Sequence, residues 1–139
     1  MAEAIFNNIL LLKGKDDICV SSAGTAAWEG DPPSRSAVEV LREKGIETGD
    51  HRARRLIEQM LDSADLVLCM TRLQKKNISG LFPQFRDKVF SLYEYAYLGE
   101  DDEQFKGKDV LDPYGMSVET YRKCIEEINT LLERISEQI

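Results

Sequence analysis

A few short stretches of this 139-residue chain carry residue types able to do chemistry. In Asp112-Pro113-Tyr114-Gly115, Pro113 fixes its own φ and pushes Asp112 toward an extended backbone, so a carboxyl sits on a stiff loop. A carboxyl held that way suits general acid catalysis; the same residue types also build an ordinary turn. Ser22-Ala23-Gly24-Thr25 offers hydroxyls and backbone N–H groups, as a binding loop or simply as the exit from a strand. His51 is the only histidine and stands beside Arg52, Arg54 and Arg55. It reads as a base or as a structural hydrogen-bonding group, and the arginines read as an anion site or as the solvated start of a helix. Trp28, in a polar loop, is a platform for an aromatic ligand or a lid on the rim. The acidic run Glu100-Asp101-Asp102-Glu103 reads as a solvated loop.

The elements that must position these residues follow from periodicity and caps. Residues 1–13 read as a helix with Ile5, Phe6, Ile9 and Leu10 on one face and Gly14 as its stop. The pattern opens at full strength on Met1, with no capping residue ahead of it. Ile18 to Ser22 reads as a strand. Asp31-Pro32-Pro33 opens a second helix with Val38 and Leu41 facing inward and Gly45 closing it. A third helix is expected at residues 55–61 and a strand covered on both faces at 65–70. Thr71 caps a fourth helix to about Ser79. Residues 88–92 are another strand, 93–111 a long connection, and Ser117 caps a last helix striped by Val118, Tyr121, Ile125, Ile128, Leu132 and Ile135. Strands alternating with helices predict an α/β fold with a parallel sheet flanked by helices. Ligands of such sheets sit at the carboxyl ends of the strands, here Ser22 to Thr25, Met70 to Arg72 and Tyr93 to Glu94, with the Asp112 loop in reach.

Composition narrows the function classes. The chain is 42% hydrophobic, enough for one ordinary core, and its net charge of −7 repels nucleic acid and anionic membrane surfaces. Cys19, Cys69 and Cys124 are dispersed and odd in number, which argues against a disulfide framework or a zinc site and fits a reducing, cytoplasmic setting. No apolar run approaches the roughly 20 residues that span a bilayer, and residues 1–3 do not begin a signal peptide.

In combination the motifs are more specific. Ser22-Ala23-Gly24-Thr25, Trp28, Pro32-Pro33, His51-x-x-Arg54, Ala64-Asp65-Leu66-Val67-Leu68-Cys69-Met70 and Asp112-Pro113-Tyr114-Gly115, in that order, resemble the low-molecular-weight protein-tyrosine phosphatases over essentially the whole chain. Arg86-Asp87-Lys88-Val89-Phe90-Ser91-Leu92-Tyr93-Glu94-Tyr95 and Asp109-Val110-Leu111-Asp112 look most like the bacterial arginine-phosphatase branch. The resemblance implies a single domain over residues 1–139, a three-layer α/β fold with four strands in the order 2-1-3-4, a phosphorylated protein as substrate, and neither cofactor nor metal. It implies Asp112 as the general acid, Trp28 and Tyr114 flanking the substrate, and Ser22 and His51 bracing the phosphate loop. Oligomeric state is not readable.

One departure stands out. The family's nucleophile and phosphate clamp lie in a Cys-x5-Arg-Ser-Pro loop ahead of the residues matching Met1-Ala2-Glu3. Here the residue six positions after Cys19 is Thr25, after Cys69 it is Lys75, and after Cys124 it is Thr130. The expectation is therefore a chain incomplete at its N-terminus, lacking the central first strand, with a slot between residues 18–22 and 65–70, and inactive as it stands. A non-catalytic remnant that binds a partner is the alternative. Arsenate reduction on the same fold needs two further cysteines close together on a mobile segment, and neither Cys69 nor Cys124 has that setting.

Overall fold

Ile5, Phe6, Ile9 and Leu10 are the buried side of the first helix in the computed structural model, which describes residues 1–139. In chain order the elements are α1 (Ala2–Leu12), α2 (Arg35–Glu43), α3 (Glu58–Ser63), β1 (Val67–Cys69), α4 (Arg72–Leu81), a 3-10 segment (Pro83–Lys88), β2 (Val89–Ser91), α5 (Leu92–Ala96) and α6 (Val118–Ser136). They fall into two compact units, Met1–Arg55 with Asp112–Ile139, and Leu56–Leu111.

The first unit is built on α6. Its buried residues Tyr121, Ile125, Ile128, Leu132 and Ile135 recur at helical spacing, and Ser117 caps it by accepting the Thr120 N–H at 3.2 Å. Both α1 and α2 pack against it. Each fully buried Leu or Ile in such an interface contributes about 1.5–3 kcal/mol. Arg122 of α6 grips Glu43 of α2 through Nη2 at 2.8 Å and Nε at 3.0 Å. α1 ends at Gly14, whose φ of 68° strains any side chain, and the Lys15 N–H reaches back to the Leu10 carbonyl at 2.9 Å. α2 starts later than its prolines suggest. Ser34 is the N-cap, accepting the Ala37 N–H at 3.2 Å, and the inward residues are Ala37, Val40 and Leu41, with Val38 only half-buried.

The expected strand at 18–22 does not form. Ile18, Val20 and Ser22 are half-buried while Cys19 and Ser21 are exposed, so the side chains alternate as in a strand, but no ladder accompanies them. A strand is defined by a neighbour that takes up its backbone groups, and only an isolated bridge, Gly24 to Arg55, occurs nearby.

The second unit holds the sheet, which has two parallel strands, β1 beside β2, with Val67 opposite Val89, Leu68 opposite Phe90 and Cys69 opposite Ser91. Three strands were expected from the sequence. Leu61, Cys69, Ile78 and Val89 form its core, packed by Leu56, Val67, Phe82 and Phe85. α3 starts at Glu58 rather than 55, because residues 53–55 are engaged in loop hydrogen bonds. α4 opens on a capping box: Thr71 Oγ1 accepts the Gln74 N–H at 3.1 Å, while Gln74 Oε1 accepts the Met70 and Thr71 N–H groups. A second capping box, Ser91 with Glu94, starts α5 inside the stretch read as the beginning of a long connection. No helix is long and apolar enough to cross a membrane.

Candidate active site

Asp112 lies on the turn that leads into α6. Its Oδ1 accepts the Tyr114 N–H at 3.0 Å, the Met116 N–H donates to the Pro113 carbonyl at 2.9 Å, and Gly115 closes the turn at φ 78°. Pro113 is buried, while Asp112 and Tyr114 face outward, Tyr114 with 77% of its surface exposed. The tetrapeptide is thus both a turn and a rigid mount for a carboxylate. An anchored proline fixes the backbone, and one carboxylate oxygen is pinned by the amide two residues on.

The amino end of α1 and Asp112 act on one common group, the Cys124 thiol of α6. Burial pushes that thiol up, the charges of Glu127 and Asp112 add to the shift, and the α1 amino terminus opposes it. The Met1 amine is in turn lowered by burial, against the raising influence of Glu3 and Cys124. The first helix's amino end and Asp112 thus both act electrostatically on Cys124.

Glu3 was not singled out by sequence, and it lies against both Ser22 and His51. Ser22 Oγ donates to Glu3 Oε2 at 2.5 Å, and His51 Nδ1 lies 4.0 Å from the same oxygen. Arg54 Nη2 donates to the Ser22 carbonyl at 3.2 Å. A carboxylate in the first turn of α1 is favoured by the helix field, which leaves it free to anchor two loops. Ser22 and His51 are thus brought to one carboxylate oxygen.

The arginines are not a helix start. Arg52 Nη1 donates to the Gly49 and His51 carbonyls at 2.8 and 2.7 Å, tightening its own turn. Residues 53–55 pair with the Trp28 loop: the Gly24 N–H meets the Arg54 carbonyl at 2.8 Å, Gly30 meets Ala53 at 2.9 Å, and Glu29 Oε1 takes the Arg55 N–H at 2.5 Å. Trp28 itself is 80% exposed. No hydrogen bond joins Asp112 or Tyr114 to Trp28, Ser22 or His51. Cavities of about 440 and 480 Å³ lie in the second unit, and none of these residues lines them.

The two buried cysteines are poor nucleophiles where they stand. Cys69 is buried on β1, and burial pushes its thiol up to about 11. Cys124 is buried on α6, and Cys19 is exposed on the irregular segment after α1. A reactive thiolate needs a helix amino end or a nearby cation to favour its charged form, and for both buried thiols desolvation dominates. No three His, Cys, Asp or Glu side chains gather in a metal-binding group.

Comparison with known proteins agrees with this picture. The family model described as low molecular weight phosphotyrosine protein phosphatase matches residues 1–139. A protein-arginine-phosphatase of Bacillus subtilis (strain 168) is 38% identical over 139 residues, covering all of this chain and 87% of that protein. Another from Geobacillus stearothermophilus is 37% identical, covering all of this chain and 86% of its own length. Among solved structures, the low molecular weight protein tyrosine phosphatase of T. tengcongensis superposes with a TM-score of 0.88 at 40% identity, over 99% of this chain and 88% of the other. The fold is the α/β fold of those proteins, helices with a parallel sheet; the expected absence of a first strand is not confirmed by the alignment. The chain belongs to the low molecular weight phosphotyrosine protein phosphatase family and is an enzyme of that family.

Proposed function

We propose that the protein hydrolyses phosphorylated side chains of proteins, phosphoarginine foremost, with Asp112 as general acid. In this reading Trp28 and Tyr114 flank the substrate and Ser22 and His51 brace the phosphate-binding loop. The observation that carries it is the Asp112 mount: an outward carboxylate held by the Tyr114 amide on a buried proline. The relatives named protein-arginine-phosphatase, aligned along the whole chain, support phosphoarginine. The exposed rings of Trp28 and Tyr114 favour phosphotyrosine as a second reading, because a phenyl ring stacks well between aromatic faces.

The chemistry proceeds in two displacements. A thiolate attacks phosphorus, the P–N or P–O bond breaks, and the Asp112 proton passes to the leaving nitrogen or oxygen. The Asp112 carboxylate then takes a proton from water, whose oxygen attacks the cysteinyl phosphate and expels the thiolate with inorganic phosphate. The thiolate is the part that residues 1–139 do not supply: none of the three cysteines has an arginine six positions on, and Cys69 and Cys124 are buried. These residues alone are accordingly inactive, and they become active when a strand and Cys-x5-Arg-Ser-Pro loop are joined ahead of Met1.

Phosphate release from a phosphoarginine protein and from para-nitrophenyl phosphate tests this on both chains. The expected result is no turnover by the 139-residue chain, turnover by the extended one, and a loss of about 10²-fold or more in its Asp112→Asn variant. Hydrolysis by the 139-residue chain that Asp112→Ala abolishes would place a nucleophile within it. An inert extended chain would favour a non-catalytic binding protein of the same fold.

A further inference from the structure

The second unit contains a cavity of about 480 Å³ between the start of α4, α5 and residues 98–108. That is the size of many small-molecule sites. One wall is aromatic. Tyr93 and Tyr97 stack with centroids 6.4 Å apart, and Tyr97 and Phe105 stack at 3.8 Å with planes 7° apart. Lys108 Nζ lies over this wall, 5.9 Å from the Tyr93 centroid and 5.7 Å from that of Phe105.

Four cations line the cavity, and three already have carboxylates. Arg72 pairs with Asp109 at 3.3 Å, Lys75 with Glu94 at 2.7 Å, and Lys106 with Asp101 at 2.6 Å and Glu103 at 2.8 Å. Lys108 has only ring faces. A cation–π contact leaves most of an ammonium's capacity to bind an anion unused, because the ring offers no lone pair. Among the acidic lining residues, Glu94 is taken by Lys75, and Asp102 Oδ1 accepts the Gln104 N–H at 2.9 Å. Glu100 lines the cavity as well, so it is no general anion trap. What enters must bring apolar surface to the rings as well as a carboxylate to Lys108.

We infer that this cavity binds an acidic side chain, with an apolar neighbour, on the protein substrate itself. The inference rests on the proposed protein-phosphatase function. Lys108 is four residues from Asp112 in the sequence.

The test needs neither phosphate nor turnover. The 139-residue chain, labelled with nitrogen-15, is titrated with an unphosphorylated Gly-Ser peptide carrying a Glu-Leu-Glu block and with its Gln-Leu-Gln counterpart. The glutamate peptide is expected to shift amide resonances within residues 93–108, and the glutamine peptide to leave them in place. Lys108→Ala should weaken binding about ten-fold, Lys108→Arg should restore it, and Lys76→Ala, which removes an exposed lysine outside the cavity, should leave it unchanged. Equal binding of both peptides, equal weakening by the two alanine variants, or shifts confined to other residues would overturn the inference. If this binding holds while the extended chain fails to release phosphate, only the enzymatic reading falls.

Discussion

Replacing Asp109 probes how the segment leading to Asp112 is held. Asp109 Oδ1 accepts the Arg72 N–H at 2.9 Å and Arg72 Nε at 3.3 Å. Arg72 is the first residue of α4, where amides lack helical partners and a carboxylate is favoured. The Val110 N–H donates to the Met70 carbonyl at 2.9 Å, and Gly107, at φ 72°, leaves room for the guanidinium, since a Cβ there would sit 3.1 Å from Arg72 Nη1. Losing a first-turn acceptor costs about 0.5–2 kcal/mol, and an exposed ion pair adds about 0.2–1 kcal/mol. The Arg72 side chain is 60% exposed, so the lower part of each range applies. Asp109→Ala should then cost about 1–1.5 kcal/mol, and Asp109→Asn, which keeps an acceptor oxygen, about half of that. The upper figure corresponds to about ten-fold lower protection of the Arg72 and Val110 amides from hydrogen exchange. The Arg72 N–H first, then its guanidinium, holds the Asp109 carboxyl below the usual carboxylate range. The unfolded chain therefore binds the proton more readily than the folded one. The stabilisation is complete above the ordinary carboxylate range and is lost as pH falls through the lower, folded value. Protection factors measured near neutral pH and near about pH 3 should show a gap between wild type and Asp109→Asn that closes in acid. Unchanged protection in Asp109→Ala, or a gap just as wide in acid, would refute the reasoning.

Two other outcomes follow from burial. Ile125→Ala, at a fully buried position facing the first unit's core, should destabilise by about 3–4 kcal/mol in urea denaturation followed by circular dichroism; a loss below about 1 kcal/mol would mean that the helices close over the gap. A thiol reagent should modify Cys19 at once in the native protein and reach Cys69 and Cys124 only on unfolding, read as one equivalent followed by two more.

Local signals were legible in the sequence, and non-local ones were not. The stripe of α6 and the Thr71 cap of α4 need only neighbours in the chain, and both stand as read. α5 was written in the sequence as Ser91-Leu92-Tyr93-Glu94, a capping-box spacing hidden by the apolar run before it. At the second helix Asp31 and Ser34 competed as caps, and Ser34, after the prolines, took the position. The run at 18–22 had strand chemistry, but a strand also needs a partner, which periodicity does not reveal. Within the site, the Asp112 turn was readable because Pro113 and Gly115 act on adjacent bonds. Glu3 was invisible as an organiser because its partners, Ser22 and His51, come from loops remote in sequence.

Trp28 is the chain's sole indole, and it stands almost wholly in water on a loop tied to residues 53–55. All tryptophan emission from this molecule therefore originates at one point on its surface. A collisional quencher such as iodide reports how open that point is, and a ring or peptide settling over it changes colour and lifetime without any dye being attached. The protein carries its own optical gauge, on a residue proposed to flank the substrate.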